Sequence, residues 1–173
     1  MKSIYLSLLS LNLFFFAGCS SQSMSNPSVI IASSGTVANY GNFCFISNKT
    51  GMSNIPQQKK EPIETRVTNA LAKELEAKGF RLSEPDNANL FVSFKVVFNE
   101  EARIELIKGS DLLSELLSEK KLHNGSLVVE LLNRNRSPVW CGAYNADIVI
   151  NVSEKEKDAR VTHAAKEIFR YFP

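Results

Sequence analysis

The sequence predicts an α+β domain, in which an antiparallel or mixed sheet carries two long amphipathic helices on one of its faces. Two segments have apolar residues at helical spacing, one near the middle of the chain and one at its end. Several short runs rich in β-branched and aromatic residues lie between and before them, and two of these runs flank a turn. Each amphipathic helix needs an apolar surface to cover, and one face of a sheet can serve both helices.

The first 18 residues predict a secretory signal peptide. Lys2 gives a positive start, and the apolar run from Ile4 to Ala17 is shorter than the roughly 20 residues of a membrane span. Phe16-Ala17-Gly18-Cys19 resembles the lipobox of bacterial lipoprotein signals, although Leu is usual where Phe16 stands. The resemblance implies that Cys19 receives an S-diacylglycerol, and after cleavage an N-palmitoyl group. The alternative is an ordinary signal peptide with a chance cysteine.

The acyl chains on Cys19 would make a stable anchor, because two or three chains exceed the marginal binding of one. Asp after the cysteine retains lipoproteins of this kind on the inner membrane, and Ser20 lacks that signal. The resemblance therefore implies the periplasmic face of the outer membrane, with the inner membrane as the less favoured alternative.

The mature chain is expected to consist of a lipidated flexible tether at 19–35 and a single α+β domain at 36–173. The tether is rich in Ser and Asn, which cannot form a core. The formal net charge of the whole chain is only +2, which argues against nucleic acid as a partner, since phosphate binding needs a basic surface.

The first half of the domain predicts a strand followed by a helix. The strand candidate is 36–47, in which Phe43 and Phe45 point to one side. The helix is predicted to begin near Glu61-Pro62, because Pro is favoured in a first turn, and to end at Gly79.

The second half predicts further strands and a closing helix. Strands are expected at 90–98, 103–107, 126–132 and 139–150, and the last two form an antiparallel hairpin. Ser153 with Glu156 three residues later predicts a capping box that starts the closing helix. Its apolar face is formed by Val161, Ala164, Ala165, Ile168 and Phe172.

Five pieces of the sequence, in order, resemble a bacterial lipoprotein family known only as domain of unknown function 4136. The pieces are Leu75-Glu76-Ala77-Lys78-Gly79-Phe80, Ala88-Asn89-Leu90-Phe91-Val92, Gly125-Ser126-Leu127-Val128-Val129-Glu130-Leu131, Val139-Trp140-Cys141-Gly142 and the ending Phe172-Pro173. Asn133 stands where Asp is common in the family, and 108–122 looks like an insertion. The resemblance implies a lipoprotein with an α+β fold, and it implies no activity.

The sequence predicts no catalytic residues, no metal site and no cofactor. It has no G-x-S-x-G, no C-x-x-C and no H-E-x-x-H motif. The two histidines, His123 and His163, are expected to be solvated, in a turn and on the polar face of the closing helix. Trp140 is expected in the core rather than as the anchor of a partner.

Cys44 and Cys141 are candidates for a disulfide, because an exported protein folds in an oxidising compartment. Both lie in predicted strands, on the side away from Phe43 and Trp140. The alternative is a pair of buried, reduced cysteines.

Four leucines in the insertion, Leu112, Leu113, Leu116 and Leu117, form a stripe on one side of a short predicted helix. Ser110 can cap this helix. One interpretation is that the stripe folds back onto the sheet of its own domain. The other is that it is exposed and docks a partner protein or enters the membrane interface.

These observations favour a non-enzymatic, lipid-anchored envelope protein that contacts other proteins or assists assembly. Its expected partners are the membrane, through the lipid on Cys19, and an envelope protein. The alternative is a carrier of a small apolar or lipid ligand. A hydrolase is the third and least favoured reading.

Overall fold

The computed structural model describes residues 28–33, 37, 39–46, 57–97, 125–146 and 151–173. The described strands are β1 (Ser28–Ser33), β2 (Asn42–Phe45), β3 (Arg81–Leu82), β4 (Leu90–Val96), β5 (Leu127–Leu132) and β6 (Pro138–Asn145). The described helices are α1 (Gln57–Ala77) and α2 (Glu154–Arg170), with a 3-10 turn at Pro85–Asn87.

The six strands form one mixed sheet in the order β1-β6-β5-β4-β2-β3. The pairs β1–β6, β6–β5 and β5–β4 are antiparallel, whereas β2 is parallel to both β4 and β3. The prediction of an α+β fold with a mixed sheet and two helices is therefore confirmed. The strand that begins at Leu90, β4, lies inside the sheet, between β5 and β2.

β1 corrects the predicted boundary between tether and domain. Ser28–Ser33 lies within the expected tether at 19–35, yet all six residues pair with β6, from Ser28 opposite Asn145 to Ser33 opposite Trp140. The run Val29-Ile30-Ile31 is β-branched, which favours a strand despite the serines around it. Within the strand expected at 36–47, the described strand is β2 at Asn42–Phe45, and the described residues 37, 39–41 and 46 lie outside it.

α1 begins four residues before the predicted start, so that Pro62 lies inside the helix. Its end agrees with the prediction. Gly79 has a φ of +92°, and its N–H donates to the carbonyl of Glu76 at 2.9 Å. The N–H of Phe80 donates to the carbonyl of Leu75 at 3.1 Å, which completes a Schellman motif. Phe80 then packs edge-on against Phe172, at 5.7 Å between ring centroids.

The hairpin of β5 and β6 is confirmed, with Leu127 opposite Tyr144 and Leu131 opposite Trp140. The side chain of Asn133 organises its turn. The Asn133 Oδ1 accepts hydrogen bonds from the backbone N–H groups of Asn135 at 2.9 Å and Ser137 at 3.0 Å. An Asn or Asp side chain that binds nearby backbone in this way is a common means of closing a turn.

α2 begins where the sequence predicts. The Oγ of Ser153 accepts a hydrogen bond from the backbone N–H of Glu156 at 3.2 Å, which satisfies one of the donors that a helix start leaves unpaired. The two helices run in the same direction. Arg66 in α1 contacts Glu154 at the start of α2, and Lys78 after α1 contacts Phe172 after α2.

Both helices share one hydrophobic core with the same face of the sheet, which we call the helix face. The core includes Val67, Leu71 and Leu75 from α1, Ala165, Ile168 and Phe169 from α2, and Phe43, Leu90, Val92, Val129, Leu131 and Trp140 from the strands. Residues on the opposite face, here the second face, are also buried, among them Ile30, Phe91, Val128, Cys141 and Ala143.

Several sequence-based predictions lie outside the described residues. They include the signal peptide at 1–18, the lipid site at Cys19, the strand at 103–107, the short helix that carries the leucine stripe, and the turn position of His123.

Candidate functional site

Cys19 and the leucine stripe, Leu112, Leu113, Leu116 and Leu117, lie outside the described residues. The structure does show how close to Cys19 the first described strand begins. Ser28 is the ninth residue after Cys19, so an extended chain between them spans at most about 30 Å. This reach is shorter than the predicted tether would have allowed.

Buried polar groups hold the start of β1 in the sheet. Ser126 and Asn145 are 0% and 3% exposed, and the Ser126 Oγ donates to the Asn145 Oδ1 at 2.7 Å. The Asn145 Nδ2 donates in turn to the Oγ of Ser28 at 3.0 Å. Asn145 thus connects β1 and β6 to the start of β5, at the point where the chain from Cys19 enters the domain.

The predicted disulfide between Cys44 and Cys141 is wrong. Both are free and buried, on the second face as their predicted strands implied. Cys44 lies in β2 and Cys141 in β6, and β5 and β4 separate these strands. Three strand spacings of about 4.8 Å place the residues about 14 Å apart, beyond the roughly 7 Å that a disulfide spans between Cα atoms.

Neither thiol is suited to nucleophilic chemistry. Burial raises the pKa of Cys141 far above its ordinary value, and the carboxylate of Glu130 raises it further while Lys95 opposes this. Burial also raises the pKa of Cys44, against a smaller opposite effect of Arg136. A thiol that stays protonated is a poor nucleophile, so both cysteines serve as small apolar residues of the second face.

Arg66, near the middle of α1, joins α1 to the first two turns of α2. Its Nη2 lies 2.6 Å from the Oε2 of Glu154, and its Nε donates to the carboxylate of Asp158. The Nζ of Lys157 binds the other oxygen of Glu154 at 2.6 Å. The hydrogen bond from Lys157, followed by the one from Arg66, lowers the pKa of the Glu154 carboxyl below its ordinary value.

A shallow groove of about 450 Å³ lies beside this ion cluster. Apart from Pro62, its lining residues are polar or charged: Glu61, Thr65, Arg66, Asn69 and Asp158. The groove is on the outside of the helix pair and not between the helices and the sheet. It does not fit the apolar ligand that a carrier would hold.

His163 is exposed on α2, as the sequence predicts, and its ring meets that of Tyr144 edge-on at 5.6 Å between centroids. Burial is the main cause that raises the pKa of Tyr144. In the part of the chain that the structure describes, no group of three His, Cys, Asp or Glu residues could hold a metal ion. None of the described helices has the length and apolarity that crossing a bilayer requires.

Trp140 lies in the core, as predicted, and is 0% exposed. Its indole stacks on Phe169 at 5.5 Å between centroids, and Phe172 meets it edge-on at 5.2 Å. The sequence analysis missed the role of Gly142, which lies under this indole. The available signal was its position two residues after Trp140, because residues two apart in a strand share a face.

The chain folds as an α+β domain, in which two helices pack on one face of a mixed six-stranded sheet. Within that class the chain belongs to the DUF4136 family, a domain of unknown function whose family model matches residues 31–173. No curated protein matches the chain significantly.

Two solved structures resemble the fold. A DUF4136 family protein from Bacteroides thetaiotaomicron has a TM-score of 0.57 and 13% identity, over 84% of this chain and 95% of that chain. A PDZ domain protein from Parabacteroides distasonis has a TM-score of 0.50 and 10% identity, over 85% of this chain and 36% of that chain. At these identities the likeness concerns the fold alone.

Proposed function

We propose that this protein is a lipid-anchored envelope protein, held on the periplasmic face of the outer membrane by acyl chains on Cys19. It acts by contacting other proteins and not by catalysis. The observation that carries the proposal is the position of β1, which begins shortly after the lipobox-like sequence. The folded sheet begins at the ninth residue after Cys19, so cleavage before Cys19 leaves every described strand intact.

The attachment of β1 supports an anchor at this end of the chain. β1 pairs with β6 along its whole length, and Asn145 binds both Ser28 and Ser126 at its start. A chain anchored at Cys19 would therefore enter the domain at a strand that is paired along its whole length. The absence of Asp after Cys19 supports the outer membrane as the location.

The described polar groups support a role in contact instead of catalysis. Arg66 is engaged with two carboxylates, the two cysteines are buried with raised pKa values, and His163 is exposed beside a buried tyrosine. Nucleophilic catalysis needs a nucleophile, a base and an orienting group within hydrogen-bond reach of one another, and these groups do not meet that requirement.

The anchor is tested by labelling cells with palmitate. The wild type and a Cys44→Ala control should both incorporate the label, while Cys19→Ser should incorporate none and leave the membrane fraction. The control keeps the number of remaining cysteines equal between the two variants. Label that persists in Cys19→Ser would overturn the anchor.

The contact role is tested by crosslinking the intact lipoprotein in its own envelope and identifying the products by mass spectrometry. Specific crosslinks to an envelope protein or to a second copy of this chain are expected. A purified protein that carries a stoichiometric lipid in its core, without such crosslinks, would contradict the contact role and favour a carrier.

A further inference from the structure

A strained arginine closes the turn between β5 and β6. Arg136 has a φ of +63°, and its backbone N–H donates to the carbonyl of Asn133 at 2.9 Å. This left-handed conformation brings Cβ close to the following carbonyl oxygen, so glycine is the residue that adopts it most easily. The other described non-glycine residue with a positive φ is Asn151, and asparagine tolerates this region better than arginine does. The backbone of the turn therefore does not favour arginine at position 136.

The side chain of Arg136 stacks on an aromatic ring of the second face. Its Cζ lies over the ring of Phe91, 3.8 Å from the ring centroid. Phe91 is buried in β4, whereas Arg136 is exposed. A guanidinium is planar, and its five N–H donors point outward within that plane, so stacking through its face leaves them available. The ring of Phe91 thus holds the guanidinium in place without using its hydrogen bonds.

Arg136 forms no ion pair with any residue that the structure describes, in contrast to Arg66 and Arg170, which both contact carboxylates. Arg134, two residues earlier in the turn, donates through Nη2 to the backbone carbonyl of Asp86 at 3.5 Å. An exposed guanidinium that is held by a ring, and that has no carboxylate of its own domain, is preorganised to bind a carboxylate from another molecule.

We infer that Arg136 binds the carboxylate of an Asp or Glu side chain on a partner protein, through two parallel hydrogen bonds. The inference rests on the proposed contact role, and it names the surface and the chemistry of that contact. A carboxylate presents two oxygens that match two N–H groups of a guanidinium, and such charge-assisted pairs are among the strong hydrogen bonds of proteins. Arginine is also one of the residues that most often dominate the binding energy of an interface.

The specificity of this pairing comes from direct contact and not from a long-range field. Arg136 and Glu84 act in opposite directions on the pKa of Cys44, so charges of both signs lie near this turn. The two acidic residues before β4, Glu84 and Asp86, balance the charges of the two arginines in the turn. A carboxylate is therefore bound only where it reaches the N–H groups of Arg136 themselves.

The position of the turn favours a protein over the anchoring membrane as the source of the anion. β1 begins opposite Asn145, at the end of β6, whereas the turn precedes Pro138, at the start of β6. Pro138 and Asn145 are seven residues apart, which separates the two ends by about 23 Å at about 3.3 Å per residue. The chain from Cys19 thus enters the sheet at the end of β6 that is far from Arg136, which disfavours a lipid phosphate.

The inference is tested with a photo-crosslinking amino acid at position 135, which is exposed in the same turn, in the full-length protein in intact cells. With Arg136 present, mass spectrometry should find crosslinks to a protein segment that contains Asp or Glu. Arg136→Gly relieves the backbone, and Arg136→Lys keeps the charge but loses the paired donors. Each should weaken the crosslinks at least about tenfold. Arg81→Lys, at an exposed arginine of β3, is the matched control and should leave them unchanged.

A charge reversal separates a direct contact from unfolding. Arg136→Glu should abolish the crosslinks, and replacing the partner's carboxylate with arginine should restore them, which requires a folded domain. A reversal without rescue overturns the inference. So do crosslinks that survive Arg136→Gly, or that weaken equally in Arg81→Lys, although in both cases the contact role stands. Crosslinks from position 135 to lipid alone, or to nothing, also overturn the inference, and crosslinking of the whole envelope then decides the contact role separately.

Discussion

The indole of Trp140 lies directly over Gly142, two residues further along the same strand. A Cβ atom at position 142 would lie 2.4 Å from the Cη2 of Trp140 and 2.8 Å from the Cγ2 of Ile168. Only glycine leaves room for this arrangement. The spacing of Trp140 and Gly142 in the family-like piece Val139-Trp140-Cys141-Gly142 therefore has a physical cause in the packing of α2 on β6.

Gly142→Ala should lower the free energy of unfolding by about 1–3 kcal/mol, the usual range for an extra methyl group in a packed core. Urea denaturation followed by tryptophan fluorescence measures the change. The effect should shrink when Trp140→Phe is added, because the smaller ring removes the closest contact. The two variants that carry Trp140→Phe, with and without Gly142→Ala, lack the only tryptophan, so their denaturation is followed by circular dichroism.

Gly41→Ala is the matched control for this substitution. A Cβ at Gly41 would meet nothing within 4 Å, so its stability should change by no more than about 0.5 kcal/mol. Equal losses from the two substitutions would contradict the account of Gly142.

The sequence predicted those features of the fold that depend on neighbouring residues. Ser153 caps α2 and Gly79 ends α1, each through contacts within about five residues. Such signals are visible because cause and effect are adjacent in the chain.

The features that the sequence missed depend on distant partners. β1 is a strand because it pairs with β6, more than a hundred residues later, and its serines resembled a tether. The parallel pairing of β2 with β4 and the strand order that separates Cys44 from Cys141 are also long-range properties. Alternation along each strand predicted the face of each cysteine, but it contains no information about which strands are neighbours.

The two buried cysteines provide a second prediction. In the native protein at pH 8, iodoacetamide should leave Cys141 unmodified, because burial raises its pKa and blocks access to it. In denaturant without reductant, both Cys44 and Cys141 should be alkylated. A mass that shows both thiols protected under those conditions would indicate a disulfide and contradict the strand order.

Arg66→Met should destabilise the domain by about 1 kcal/mol, because it removes the cation between two carboxylates of α2 while keeping an apolar stem. Thermal or urea denaturation measures the loss. Arg170→Met is the control, since Arg170 is exposed and its contact with Glu167 is 3.4 Å long. If the two variants lose equal stability, Arg66 does not join the helices as described.

The same ion cluster predicts a dependence on pH. Its hydrogen bonds lower the pKa of Glu154 in the folded state, so their stabilising effect is present above the ordinary carboxyl pKa of about 4.3. This stabilisation is lost as the pH falls through the lowered pKa of Glu154. The stability difference between wild type and Arg66→Met should therefore be constant between pH 6 and 7 and smaller near pH 3. A difference that grows toward low pH would contradict this assignment.

The mass of the mature N-terminal peptide tests the central claim most directly. We expect the protein purified from membranes to begin at Cys19 and to carry a diacylglycerol on its sulfur and an acyl group on its amine. Proteolysis should release this lipidated peptide from a domain that still contains β1. A mature protein that begins elsewhere, or that carries an unmodified Cys19, would contradict the account of a lipid-anchored domain.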